Sequence, residues 1–241
     1  MMKSVRTITP PVTDSESKMG LSHSPSIVTD GLVLCLDAAN PRSYPGSGST
    51  IYDISGNGYT GTITGTLPHN GKYFTFNATQ HITTTATPLT LGVNDNSYTC
   101  EAVLSFADMT GDHMVFGNTA QGIRMGWHLG SRNALFYFGH YGNDTNASGA
   151  SAETPYHMTW VFTKGSTSNN AKIWVNSVNR SGGGANLGTY IATNNVLIGA
   201  GFNTTNTRFA GNLHYVRIYN RDLSSDEIRR NYLATKSRFG L

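Results

Sequence analysis

The chain has 241 residues, of which 13% are charged and 38% hydrophobic, with 27 glycines and a formal net charge of +3. Charged residues stand at about half their usual share, and Asn, Thr, Ser and Gly take their place. Those residues suit turns and strands and fill helix interiors poorly, so a helix bundle or coiled coil is excluded.

Residues 1–28 are rich in Ser, Thr and Pro, with Pro10, Pro11 and Pro25. They read as an extended arm, disordered alone or ordered against a neighbour. The stretch contains no apolar h-region, so no secretory signal is expected. The body is placed at 29–241. It opens on Leu32–Asp37, an apolar run that reads as a strand buried on both faces. A loop follows, and residues 51–58 end in a tight turn at Asn57-Gly58. Strands are then expected at 59–64, 72–76, 80–84, 97–106, 113–117, 124–129, 133–139, 156–163, 171–176, 195–199 and 212–219. In the sixth of the body's runs, Tyr98, Cys100, Ala102, Leu104 and Phe106 share one face. In residues 156–162, Tyr156, Met158, Trp160 and Phe162 do the same. Many short strands with frequent turns predict an all-β sandwich or barrel. No repeat of fixed period is visible, so one domain is expected.

The segment 223–234 breaks the pattern and reads as a helix. Ser224 and Glu227 form a capping box, and Leu223 can staple onto Ile228. Asp226 and Glu227 in the first turn suit the helix dipole. A helix of about ten residues is unstable alone and must dock on the sandwich. Two cysteines, Cys35 and Cys100, lie in apolar stretches and read as buried reduced thiols.

The order of these pieces carries a resemblance. Gly31-Leu-Val-Leu-Cys-Leu-Asp37 comes first, and Asp53-Ile-Ser-Gly-Asn-Gly58 follows. The end is Val216-Arg-Ile-Tyr-Asn-Arg-Asp-Leu-Ser-Ser-Asp-Glu-Ile228. Over about residues 30–241 the chain resembles the laminin-G-like, concanavalin A-like lectin/glucanase superfamily. The resemblance implies a two-sheet antiparallel jelly-roll sandwich closed by a short C-terminal helix. The tail, Asn231 to Leu241, looks like that of such domains in structural proteins of tailed bacteriophages. That likeness implies a virion protein, a capsid decoration or fibre-type component on the particle exterior, made in the host cytoplasm. Its partners would be other virion proteins, reached through the arm and a sandwich face, in a homo-oligomer. The alternative the superfamily offers is a lectin-like module binding host-surface glycans. Fold alone does not choose between them.

Chemistry is read from the residues. Glycoside hydrolysis needs two carboxylates flanking one bond. The four glutamates are Glu16, Glu101, Glu153 and Glu227. Glu101 has no second acid on its face of the strand, so no enzyme is expected. The histidines lack metal-ligand spacing. Asp53, Ser55 and Asn57 match the first half of a Ca²⁺ loop, but Thr64 stands where a bidentate Glu belongs. An Asx turn is the preferred reading of that loop, and a Ca²⁺ site completed by Asp37 or Asp222 is the analogy-based alternative. A glycan site needs an exposed aromatic with convergent polar groups. Tyr137, His140, Tyr141, Asn143, Asp144 and Asn146 form the candidate cluster, with Trp127 and His128 as neighbours. No cluster of Lys and Arg suggests nucleic acid, since Arg229, Arg230, Lys236 and Arg238 alone group together. No apolar run approaches the roughly 18 residues of a membrane span.

Overall fold

The computed structural model describes residues 25–118, 124–182, 186–201 and 207–241. The first element, β1 (Leu32–Asp37), and the last strand, β15 (Ala210–Tyr219), pair antiparallel, joining the two ends of the body. Beside β15 lie β6 (Tyr98–Phe106), β11 (Tyr156–Phe162), β12 (Ala171–Val175) and β13 (Val178–Asn179), in that order. β4 (Phe74–Asn77) pairs with the first half of β15, making this a seven-stranded sheet.

The second sheet has eight strands. From one edge they run β10 (Asn143–Ala147), β9 (Leu135–His140), β8 (Trp127–Arg132) and β7 (Asp112–Asn118). They continue as β14 (Val196–Ile198), β5 (His81–Thr84), β3 (Thr60–Thr64) and β2 (Thr50–Tyr52). The protein is therefore an all-β sandwich with one C-terminal helix, as the resemblance implied.

Alternation along the strands fills the space between the sheets. Tyr98, Cys100, Ala102, Leu104 and Phe106 of β6 all enter the main core, with Met158, Trp160 and Phe162 of β11. Cys35 and Cys100 are both buried, with Cys100 in that core. The β8–β9 connection is a two-residue turn with Asn133 at φ 47° and Ala134 at φ 64°. Such a turn needs positive φ at both positions and matches the twist of the strands. It takes residues 133 and 134 out of the predicted strand. Asn176 and Ser177 turn β12 into β13 in the same way, with φ 50° and 62°. β2, β10 and β13 were not among the predicted strands, because their sequences are short or polar.

The helix, α1, spans Ser225–Phe239, fifteen residues rather than ten. Both halves of the capping box form: Ser224 Oγ accepts from the Glu227 N–H, and Glu227 Oε2 accepts from the Ser224 N–H. Leu223 and Ile228 share a small core with Val28, Val161 and Tyr219. Asn, Thr and Ser are poor helix formers, so the last turns are held by tertiary contacts. Arg238 makes a two-point ion pair with Asp37, at 2.7 and 2.8 Å. Phe239 packs 4.7 Å from His214, and Gly240 closes the helix at φ 71°.

Thus α1 covers the outer face of the seven-stranded sheet, and the start of the body joins it. Val28 N donates to Asn231 Oδ1, and Tyr219 OH donates to the Val28 carbonyl. Ser26 to Val28 therefore lie on the body, a few residues before the expected boundary at 28/29. The rest of the expected arm, residues 1–24, lies outside the described residues. Among those described, no helix is long and apolar enough to cross a membrane.

Candidate functional site

The candidate site lies on the outer face of the eight-stranded sheet, near its β10 edge. Register places His128 opposite Gly139, Gly130 opposite Tyr137, and Asp144 opposite Gly139. These positions share the outer face, and Arg132 joins them through its pairing with Asp112 on β7. Arg132 grips both Asp112 oxygens, through Nε on Oδ1 and NH2 on Oδ2 at 2.8 Å. Its NH1 donates to the Tyr137 hydroxyl at 2.9 Å, and that hydroxyl donates to Asp144 Oδ2 at 2.7 Å. His128 Nδ1 stands 3.5 Å from the other Asp144 oxygen. The ring of Tyr141 lies edge-on to His128 at 5.8 Å. Gly139 makes room for this arrangement, since a Cβ there would collide with the Asp144 carboxylate.

The charges support one another. Burial alone would raise Asp144, but hydrogen bonds from His128 and Tyr137, with Arg132 nearby, hold it below the usual carboxylate range. Burial and the bond to Asp144 push the Tyr137 phenol up to about 12. The result is a fixed carboxylate and a fixed guanidinium on a partly exposed face, with Asn146 exposed beside Asp144.

Not every predicted member joins this face. His140 is fully buried and points into the sandwich. Its Nδ1 lies 2.6 Å from the Gly188 carbonyl, so Nδ1 carries the proton, and Nε2 accepts from Tyr98 OH at 2.6 Å. Burial lowers it to about 4. His140 is therefore a core residue, and the correction follows from strand parity: it shares its face with Phe136 and Phe138. Trp127 faces the same core, stacked on Tyr190 at 4.7 Å. Asn143 is exposed at the start of β10 but sits on the opposite parity from Asp144. Arg132 and Asp112 were missed by sequence reasoning. Their one signal was parity with His128, across a hairpin whose register the sequence does not print.

The loop from Asp53 is an Asx-type turn. Asp53 Oδ1 accepts from the Cys35 and Ser55 N–H groups, both at 2.8 Å, and Oδ2 accepts from Ser55 Oγ at 2.7 Å. Asn57 Nδ2 donates to the Val33 carbonyl at 3.2 Å. Asp37 is engaged by Arg238, and Asp222 by Thr163. A cation at this loop would have to displace those donors from Asp53. Among the described residues, no group of three or more His, Cys, Asp or Glu could hold a metal ion.

Comparison with known proteins places the fold. The family model described as the concanavalin A-like lectin/glucanases superfamily, of laminin-G type, matches residues 76–229, more than half of the chain. This chain belongs to the concanavalin A-like lectin/glucanases superfamily. Among curated protein sequences, none matches it. Solved structures align at low identity. A Trypanosoma rangeli sialidase in complex with sialic acid aligns with a TM-score of 0.60 and 16% identity, covering 89% of this chain and 36% of the sialidase chain. The binding domain of botulinum neurotoxin serotype D/C aligns with a TM-score of 0.64 and 14% identity, covering 85% and 53%. A botulinum neurotoxin DC binding domain in complex with SialylT aligns at 0.63 and 12% identity, covering 85% and 52%. The chain thus spans about a third to a half of these proteins, and the likeness is one of fold.

Within this superfamily the glutamates matter, because they would supply hydrolysis. Glu101 is fully buried beneath α1, where Asn231 Nδ2 donates to both of its oxygens at 3.0 Å. Glu227 caps the helix and is paired with Arg221 at 2.6 Å, which pulls it down to about 2. Glu153 is exposed at the end of β6's sheet, its N–H bonded to the Phe106 carbonyl. Glu16 lies outside the described residues.

Proposed function

We propose that this chain is a non-enzymatic, lectin-like module that binds glycans on the outer face of its eight-stranded sheet. The observation that carries this reading is the linked set Arg132, Tyr137 and Asp144. Each side chain is held by its neighbours at 2.7 to 2.9 Å and sits on a partly exposed sheet face. A site whose donors and acceptors are already oriented loses little freedom when a sugar hydroxyl arrives. Tyr141, partly exposed, supplies ring surface beside it. The superfamily membership and the fold of glycan-complexed neighbours support the reading. The burial of Glu101 and the capping role of Glu227 support a binding role over a hydrolytic one.

The test is an array of host-surface and bacterial glycans probed with the full chain. Saturable binding is expected, weakened at least about tenfold by Asp144→Ala and by Arg132→Ala. Absence of any saturable glycan, or binding indifferent to both substitutions, would overturn it.

A second reading is the phage assembly module, a decoration or fibre-type component. Its support is the tail resemblance and the anchoring of Ser26 on α1, where Arg230 Nε donates to the Ser26 carbonyl at 2.7 Å. Deleting residues 1–24 should leave the melting transition intact and abolish incorporation into particles. Normal incorporation would sink this reading.

A further inference from the structure

The outer face of the seven-stranded sheet is not wholly sealed by α1. Between β11–β13 and the start of the helix runs a groove of about 510 Å³, a size typical of small-ligand sites. Its floor is apolar, with Val161 and Leu223 contributed by the small core under the helix. Trp174 lies along it, on the outward parity of β12. Of the three tryptophans, Trp127 and Trp160 are fully buried and Trp174 alone is partly exposed. Its indole N–H is shielded from solvent and has no partner among the described residues.

Polar groups with spare capacity line the same groove. Lys172 is one of them and makes no ion pair among the described residues. Asn179 uses its Oδ1 to accept from the Ser181 N–H at 3.0 Å, and its amide N–H groups remain available. Asp222 accepts from Thr163 Oγ1 through Oδ2 at 3.1 Å, leaving Oδ1 as an acceptor.

We propose that this groove is a second binding site, separate from the one on the eight-stranded sheet, and that it takes a neutral saccharide. An aromatic face receives the C–H surface of a sugar ring, while an ammonium, an amide and a carboxylate serve hydroxyls that both donate and accept. The groove carries no net charge to draw an anion: Arg221 neutralises Glu227, bonding it at 2.6 and 3.0 Å, and Asp222 balances the Lys172 ammonium. At the helix start the Glu227 and Ser224 N–H groups are already taken, by Ser224 Oγ and Glu227 Oε2. The proposal does not rest on the first site, which uses other residues on the other sheet.

Because Trp174 is the one partly exposed indole, ligand stacking on it should be read directly in tryptophan fluorescence. The full chain is titrated with cello-, malto- and chito-oligosaccharides, and with sialyllactose and a sulfated oligosaccharide as anionic counterparts. A saturable change is expected with at least one neutral series and with neither anionic probe. Calorimetric affinity should fall at least about tenfold in Trp174→Ala. The double variant Lys172→Ala, Asn179→Ala should weaken binding to a similar degree with an unchanged melting transition, so a folding defect in the tryptophan variant does not obscure the result. Arg132→Ala should leave this binding unaltered, which separates it from the first site. Absence of binding to all three neutral series, tighter binding of the anionic probes, or affinity undiminished in both groove variants would each overturn the proposal.

Discussion

The two outer faces of the sandwich carry nearly the same chemistry in opposite circumstances. On the eight-stranded sheet Arg132, Asp112 and Asp144 stand partly exposed, with the buried side chains of Tyr137 and His128 beside them. On the seven-stranded sheet Arg217, Glu101, Tyr219 and His157 form a matching group, all buried beneath α1. Arg217 NH1 lies 3.6 Å from Glu101, and Asn231 of the helix bridges Glu101 to the Tyr219 hydroxyl. Solvent makes the difference. Asp144 is held below the ordinary carboxylate range, whereas burial pushes Glu101 above it, with Arg217 and Asn231 only partly offsetting the effect. Burial drives His157 down to about 3, and neither ring nitrogen has a hydrogen-bond partner among the described residues. The exposed set can serve a ligand because its charges are stable in their own right. The covered set serves to seat the helix, and its removal would leave charge stranded in the interior.

That contrast is sharpest under substitution. Arg217→Met leaves Glu101 without its cation and should cost about 3–5 kcal/mol in chemical denaturation, with Glu101→Leu in the same chain restoring most of it. A loss below about 1 kcal/mol would put the two faces on an equal footing. Ile228 is fully buried in the small core under α1, so Ile228→Ala should cost about 2–5 kcal/mol. An unmoved melting transition would mean that the helix contributes nothing to the fold.

Acid provides a third measurement. The folded-state values of His157 and His140 are lowered to about 3 and about 4 from 6.5. Both stay neutral in the native state while the unfolded chain takes up protons, so their stabilisation is present above 6.5 and is lost as pH falls toward 4. Each should contribute a slope of about 1.4 kcal/mol per pH unit in that window. Glu101 runs the other way, since a raised carboxylate stabilises most below its ordinary value and fades as pH rises. His157→Gln should flatten the acid limb by one proton, and an unchanged slope would show that His157 is charged in the fold.

The smallest effect is expected on the exposed face. Arg132 and Asp112 are part-exposed, so Arg132→Ala should change stability by less than about 1 kcal/mol while weakening glycan retention. A stability loss as large as that of Arg217→Met would make the network structural and remove it as a binding site.

Much of this was legible in the chain of residues. The alternation of Tyr98 to Phe106 announced a core strand, and Ser224 with Glu227 announced a helix start, because both signals are local and have a fixed period. Parity also carried the placement of His140 with Phe136 and Phe138, although its position beside Tyr141 and Asp144 suggested a surface cluster. β10 was harder to see, since Asn143-Asp-Thr-Asn-Ala147 has weak strand propensity and becomes a strand by pairing with β9. The last turns of α1 were invisible for the same reason, being held by Asp37 and His214 from far along the chain.

The sequence by itself determined which side chains share a face and where the helix begins, because neighbours in the chain impose those relations. Which outer face would be covered was decided only by the tertiary structure. Asn231 meets Glu101 across 130 residues of chain, and no local pattern encodes such a contact. Local alternation places an acid on a face, and the element that folds back over that face decides whether the acid meets water or the interior.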